Sequence, residues 1–142
     1  MQNNELAQEI IARAKDVHDY VVRMRRDFHK YPETGFLETS TAGVIAEELK
    51  WMGISVQTNI AKTGVVGTLS IPGAKKTVAF RADMDALPIT EESCLEFKSQ
   101  NEGVSHACGH DANMAMLLGA AKLTTMLQGK LKRQVKFIFQ PC

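Results

Sequence analysis

The chain has 142 residues, 44% of them hydrophobic and 23% charged, and carries a net charge of +1. That is one domain's worth of chain, with enough apolar material for a real core. Basic and acidic residues are interspersed, which argues against a nucleic-acid stripe or a polybasic membrane patch.

Three widely spaced cysteines, Cys94, Cys108 and Cys142, make no disulfide framework and point to a reducing, cytoplasmic setting. The opening MQNNELAQEI has no basic segment followed by an apolar one, so no signal peptide is expected. The longest apolar run, Met114 to Ala121, falls far short of the roughly 20 residues a spanning helix needs.

Leu6, Ile10, Ala14, Val17, Val21, Met24 and Phe28 recur at steps of four and three, which predicts one amphipathic helix ending near His29. Pro32 disfavours helix at Tyr31. In the following HKYPETGFLE, His29 reads either as a ligand or as a helix-end histidine facing terminal carbonyls; the second is favoured. Thr39 or Ser40 is expected to cap a second helix running to Trp51, with Trp51 packed inward and Gly53 closing it. Three strand-like runs follow, Ile54–Thr58, Gly64–Ile71 and Thr77–Arg81, with Pro72-Gly73 as a turn. The run TVAF reads as a strand buried on both faces.

That strand leads into Arg81-Ala82-Asp83-Met84-Asp85-Ala86-Leu87-Pro88. Asp83 and Asp85 share a face at a strand end, where open α/β sheets place ligands. They read as loop caps or partners of Arg81 on one hand, and as metal-site carboxylates on the other; the second is favoured for Asp85. The stretch Ser105-His106-Ala107-Cys108-Gly109-His110-Asp111 combines thiol, imidazole and carboxylate. If extended, it turns His106, Cys108 and His110 to one side as a metal shell. It also reads as a helix start capped by Asp111. A helix from Asp111 to about Leu127 is expected to pack through Met116, Leu117, Ala120, Leu123 and Leu127, and Gln134–Gln140 to form a last buried strand. This order predicts a three-layer α/β/α domain around a mixed sheet.

Four segments, RRDFHKYPETGFLE, RADMDALPI, HACGHD with AMLLGAAKL, and FIFQP, together resemble the metal-dependent amidohydrolases that include hippurate hydrolase, N-acyl-amino-acid amidohydrolases and indole-acetyl-amino-acid hydrolases. These belong to a wider group of two-metal aminoacylases and carboxypeptidases. The resemblance implies that residues 1–142 are the N-terminal part of a metallohydrolase catalytic domain, truncated after Cys142 and without the lid and dimerisation domain of its relatives. It implies two divalent ions (Mn²⁺, Zn²⁺, Co²⁺ or Ni²⁺) in a full-length member, with Cys108 and His110 as metal ligands and Asp85 orienting one of them. Asp83, His106, Asp111 and Asn113 are candidates for supporting contacts behind the ligands.

The substrate implied is a small N-acyl amino acid, with no nucleic acid or membrane as partner, and full-length relatives are expected to be homodimers. In the family, FQP is followed by a small residue and two glutamates, the first a general base and the second a ligand; here the chain reaches Cys142, where alanine is usual. Ser105 replaces a usual methionine, and Asn113 stands where histidine is common. The 142 residues alone are therefore expected to be inactive. A non-catalytic metal- or thiol-binding module and a non-functional remnant are the competing readings.

Overall fold

A computed structural model describes residues 2–142. In chain order it comprises α1 (Gln2–Asp16), α2 (His18–Lys30), α3 (Thr39–Trp51), β1 (Ser55–Ile60), β2 (Gly64–Leu69), β3 (Thr77–Asp83), α4 (His110–Met126) and β4 (Gln134–Gln140). The sheet order is β1-β2-β4-β3. β1 and β2 are antiparallel, β2 and β4 are antiparallel, and β4 runs parallel to β3, so the sheet is mixed as expected.

Side-chain alternation decides which face is covered. Val65, Leu69, Val135, Phe137 and Phe139 are buried on one face, while Lys136 and Ala79 on the other are exposed. α3 and α4 lie side by side on the covered face, and α2 packs outside α4. Of the three expected layers, the described residues hold the sheet and the helical layer of one face. No helix among them is long and apolar enough to cross a membrane.

Several expectations are corrected. The single long helix is two, because the chain breaks at Val17. Val17, Tyr20, Met24 and Phe28 are buried, whereas Ile10 and Ile11 of α1 are exposed, so the buried stripe belongs to α2 and its junction and not to α1. Trp51 is 85% exposed. The buried stripe of α3 is Thr41, Ile45 and Leu49, at steps of four, and Trp51 lies about 200° around the helix from Leu49. Met116 is exposed for the same reason, since α4 buries Asp111, Met114, Ala115, Leu118 and Ala121.

The run TVAF is not buried on both faces. β4 inserts between β2 and β3, leaving β3 as an edge with Ala79 and Phe80 exposed. Neither Thr39 nor Ser40 caps α3. The Glu33 carboxylate does so from the preceding loop, accepting from the amides of Ser40 (3.1 Å) and Thr41 (2.8 Å) and from the Thr41 hydroxyl.

α2 and α4 approach closely enough that a Cβ at Gly119 would overlap Val21 Cγ2. Gly119→Ala should therefore destabilise the fold by about 1–3 kcal/mol through overpacking. Adding Val21→Ala should recover much of that loss in a thermal melt, and an equal loss in the double variant would show that the helices are not held at this contact.

Candidate functional site

The C-terminal ends of the parallel pair β3 and β4 lie together, with Asp83 opposite Gln140. The chain leaving β3 crosses this end of the sheet, where Met84 N donates to Gln140 O and Ala86 N to Glu33 O. It is joined to the segment before α4 by the Leu87–Ser105 bridge. Asp85 thus comes to the N-terminus of α4. Gly109, in the left-handed region at φ +81°, turns the chain there, a conformation in which glycine carries no side-chain penalty.

His110 opens α4. Its Nδ1 donates to Asp85 Oδ1 (3.0 Å) and to the Asp85 carbonyl (2.9 Å), and both side chains are mostly buried. Each partner only accepts, so Nδ1 carries the proton and Nε2 is the nitrogen left free. Cys108, two residues earlier, is exposed and is not in a disulfide. A soft thiol beside an imidazole whose far nitrogen is fixed by a carboxylate is a donor set that suits a borderline-soft divalent ion. It is also incomplete: no group of three or more His, Cys, Asp and Glu side chains among the described residues is placed to hold an ion.

Asp83 does not join this pair; it is bonded to Arg81 Nη2 at 2.5 Å. Asn113 is exposed, one turn into α4. Asp111 is corrected most sharply. It is not the N-cap, a place taken by Gly109, but lies in the first turn, 1% exposed. Its Oδ2 accepts from His29 Nδ1 (2.8 Å) and Arg25 Nε (3.1 Å). The helix N-terminus, with its unpaired amides, favours a negative charge in that turn.

His29 accordingly faces carboxylates, not the helix-end carbonyls expected of it: its Nε2 lies 3.2 Å from Glu91 Oε1. Phe97 packs edge-on against the ring at 5.5 Å, and Arg25 and Arg26 lie over Phe97.

Burial works to raise the pKa of Glu91, but hydrogen bonds from the Ser93 hydroxyl, the Ser99 amide and His29 outweigh it and hold the group at about 2. His106 is 5% exposed, and both its ring nitrogens, like Asp111 Oδ1, lack a partner among the described residues. Burial pushes the ring down to about 4, with its neighbours His29 and His110 acting in the same direction and Asp111 opposing.

The sequence reading missed Arg25, Glu91, Phe97 and Glu38. Glu38 is fully buried, accepting from Thr63 Oγ1 (2.6 Å) and the Cys142 amide (3.4 Å). No local pattern announces such partners, which come from far along the chain. The Cys142 thiol itself packs beside Gly35, where an added Cβ would meet Cys142 Cβ at 2.6 Å and Asp85 Cβ at 3.9 Å. A cavity of about 390 Å³ lies between α1 and β3, lined by Leu6, Val78 and Phe80 among others, away from the candidate residues.

Residues 79–142 match the sequence profile of Peptidase family M20/M25/M40. The chain is 41% identical to thermostable carboxypeptidase 1 of Saccharolobus solfataricus, over 96% of this chain and 35% of that protein. It is 42% identical to the N-acyl-L-amino acid amidohydrolase of Geobacillus stearothermophilus, over 94% of this chain and 36% of that one. A crystal structure of a dinuclear metal-binding M20 peptidase from Bacillus subtilis superposes with a TM-score of 0.85 at 40% identity, covering 90% of this chain and 36% of that one. The chain thus spans about a third of the length of these relatives.

Because Glu91 is held below its ordinary range, its contribution is complete above about pH 4.5 and lost as pH falls towards 2. Stability measured by urea unfolding should decline through that interval, and Glu91→Ala should flatten that part of the profile. A wild-type slope unchanged by the substitution would place the acid sensitivity elsewhere.

Proposed function

We propose that this chain, a relative of the M20/M25/M40 peptidases in sequence and fold, is part of the catalytic domain of a metal-dependent hydrolase that cleaves the amide bond of N-acyl amino acids. The observation that carries the reading is the Asp85–His110 pair beside Cys108. Asp85 accepts from Nδ1–H and so fixes the tautomer that leaves Nε2 free, the arrangement metal-binding histidines ordinarily have. Cys108 adds a soft donor, and the turn at Gly109 brings it to the same end of the sheet. Divalent ions bound there supply Lewis acidity toward the amide carbonyl and the attacking water. The names of the relatives, carboxypeptidase and N-acyl-amino-acid amidohydrolase, support amide hydrolysis and a small acylated amino acid as substrate.

Within the 142 residues no glutamate follows Glu102. The two glutamates on the loop beside Asp85 are engaged, Glu33 in capping α3 and Glu38 with Thr63 and the Cys142 amide. Among the described residues the site therefore gathers two candidate donors and an orienting carboxylate, while the nearby Glu33 and Glu38 are committed to other bonds and poorly placed to take a proton from water.

Two measurements test this reading. Titration with Co²⁺ should produce thiolate-to-metal absorption that Cys108→Ser abolishes and His110→Ala weakens; binding indifferent to both substitutions would sink it. The 142-residue polypeptide should release no amino acid from benzoyl- or acetyl-amino acids in the presence of Mn²⁺. Turnover that disappears in Cys108→Ser would show that the site is complete without further carboxylates.

A further inference from the structure

We propose that His29 is a positioning residue for His110: its ring clamps together the two segments that bring Asp85 and His110 into contact. The proposal rests on the functional reading only in taking His110 as a metal donor.

The Asp85–His110 hydrogen bond joins the segment leaving β3 to the first turn of α4. A second tie joins the same two segments. Glu91 lies six residues beyond Asp85, Asp111 follows His110 directly, and His29 sits between them with Nε2 3.2 Å from Glu91 and Nδ1 2.8 Å from Asp111. With a carboxylate at each of its nitrogens, the ring bridges the two segments directly. The His29 side chain is 10% exposed, and its contact to Asp111 is buried.

Each end of the clamp is held in turn. Glu91 also accepts from the Ser99 amide at 2.7 Å and from the Ser93 hydroxyl, so its segment is not free to follow a moving side chain. Asp111 is held from the other side by Arg25, whose side chain is 42% exposed. Removing the imidazole would leave two poorly solvated carboxylates facing one another, with that half-exposed guanidinium as the nearby compensation. Their repulsion acts to separate the same two segments that the Asp85–His110 hydrogen bond joins. A helix-end histidine facing carbonyls would have no such leverage, since it would touch only its own helix.

The metal-free protein supplies the first readout. In wild type, ¹⁵N–¹H correlation of the histidine rings should show His110 as the single Nδ1–H tautomer. His29→Ala should replace this with a tautomer mixture and lower Co²⁺ affinity about tenfold or more, as loss of a partner behind a metal ligand does elsewhere. His29→Gln with Glu91→Gln can rebuild a neutral bridge, the amide of Gln at 29 donating to Asp111 while its carbonyl accepts from Gln at 91, and should restore the His110 signature. A folded His29→Ala protein with an unchanged His110 tautomer overturns the proposal. Should that variant lose its cooperative melt, Glu91→Ala, which cuts the other arm, is decisive in its place: an altered tautomer supports the clamp and an unaltered one refutes it. A wild-type chain that binds no Co²⁺ would count against the metal reading, while the metal-free tautomer still decides the role of His29.

Discussion

The carboxylate of Asp111 is the constraint from which the site's geometry follows. At 1% exposure it cannot rely on water, and it is tolerated because His29 and Arg25 both donate to it. That requirement pins the first turn of α4 against the end of α2. Removing one partner from such a buried pair typically costs about 3–5 kcal/mol, so the junction tolerates little variation. His110, the neighbouring residue, thereby inherits a fixed place, and its ring is turned by Asp85 so that Nε2 remains free.

The sheet supplies the other half of the geometry. Parallel β3 and β4 bring their C-terminal ends to one edge, where chain segments diverge and leave room for polar groups. Asp85 leaves one strand there, and Pro141 and Cys142 leave the other, with Gly35 allowing the loop after α2 to close over them. The same edge gathers Glu33 and Glu38, yet the fold commits both to structural bonds. The residues described thus fix the Asp85–His110 pair firmly, with no group of three or more metal-ligating side chains among them.

The candidate donors were legible because their signal is local. Cys108 and His110 are two residues apart, and Asp85 sits on a short segment after a strongly apolar strand. Each can be recognised from a window of a few residues and from its resemblance to a known motif. The clamp was not legible. His29 lies 82 residues from Asp111 and 62 from Glu91, so a reading confined to its neighbours assigned it to the end of its own helix. Asp111 was misread in the same way: a carboxylate at a helix start is most often a cap, and only the approach of α2 makes this one a buried ion-pair partner.

The same division holds for the fold. Apolar periodicity, Gly53, Pro72-Gly73 and Pro32 determined where helices and strands run, because those preferences arise from backbone sterics and nearest neighbours. They could not determine strand order. That β4 inserts beside β2, and so turns β3 into an edge with Phe80 exposed, depends on pairing between segments more than 50 residues apart. Nor could they determine which side of α3 or α4 faces the core when apolar residues lie on both, as the exposure of Trp51 and Met116 shows. By itself the sequence determined the approximate extent of most elements and which residues are candidate donors. Only the tertiary structure decided which distant charges meet, because the pairing of buried ions depends on distances of a few ångströms that no local pattern encodes.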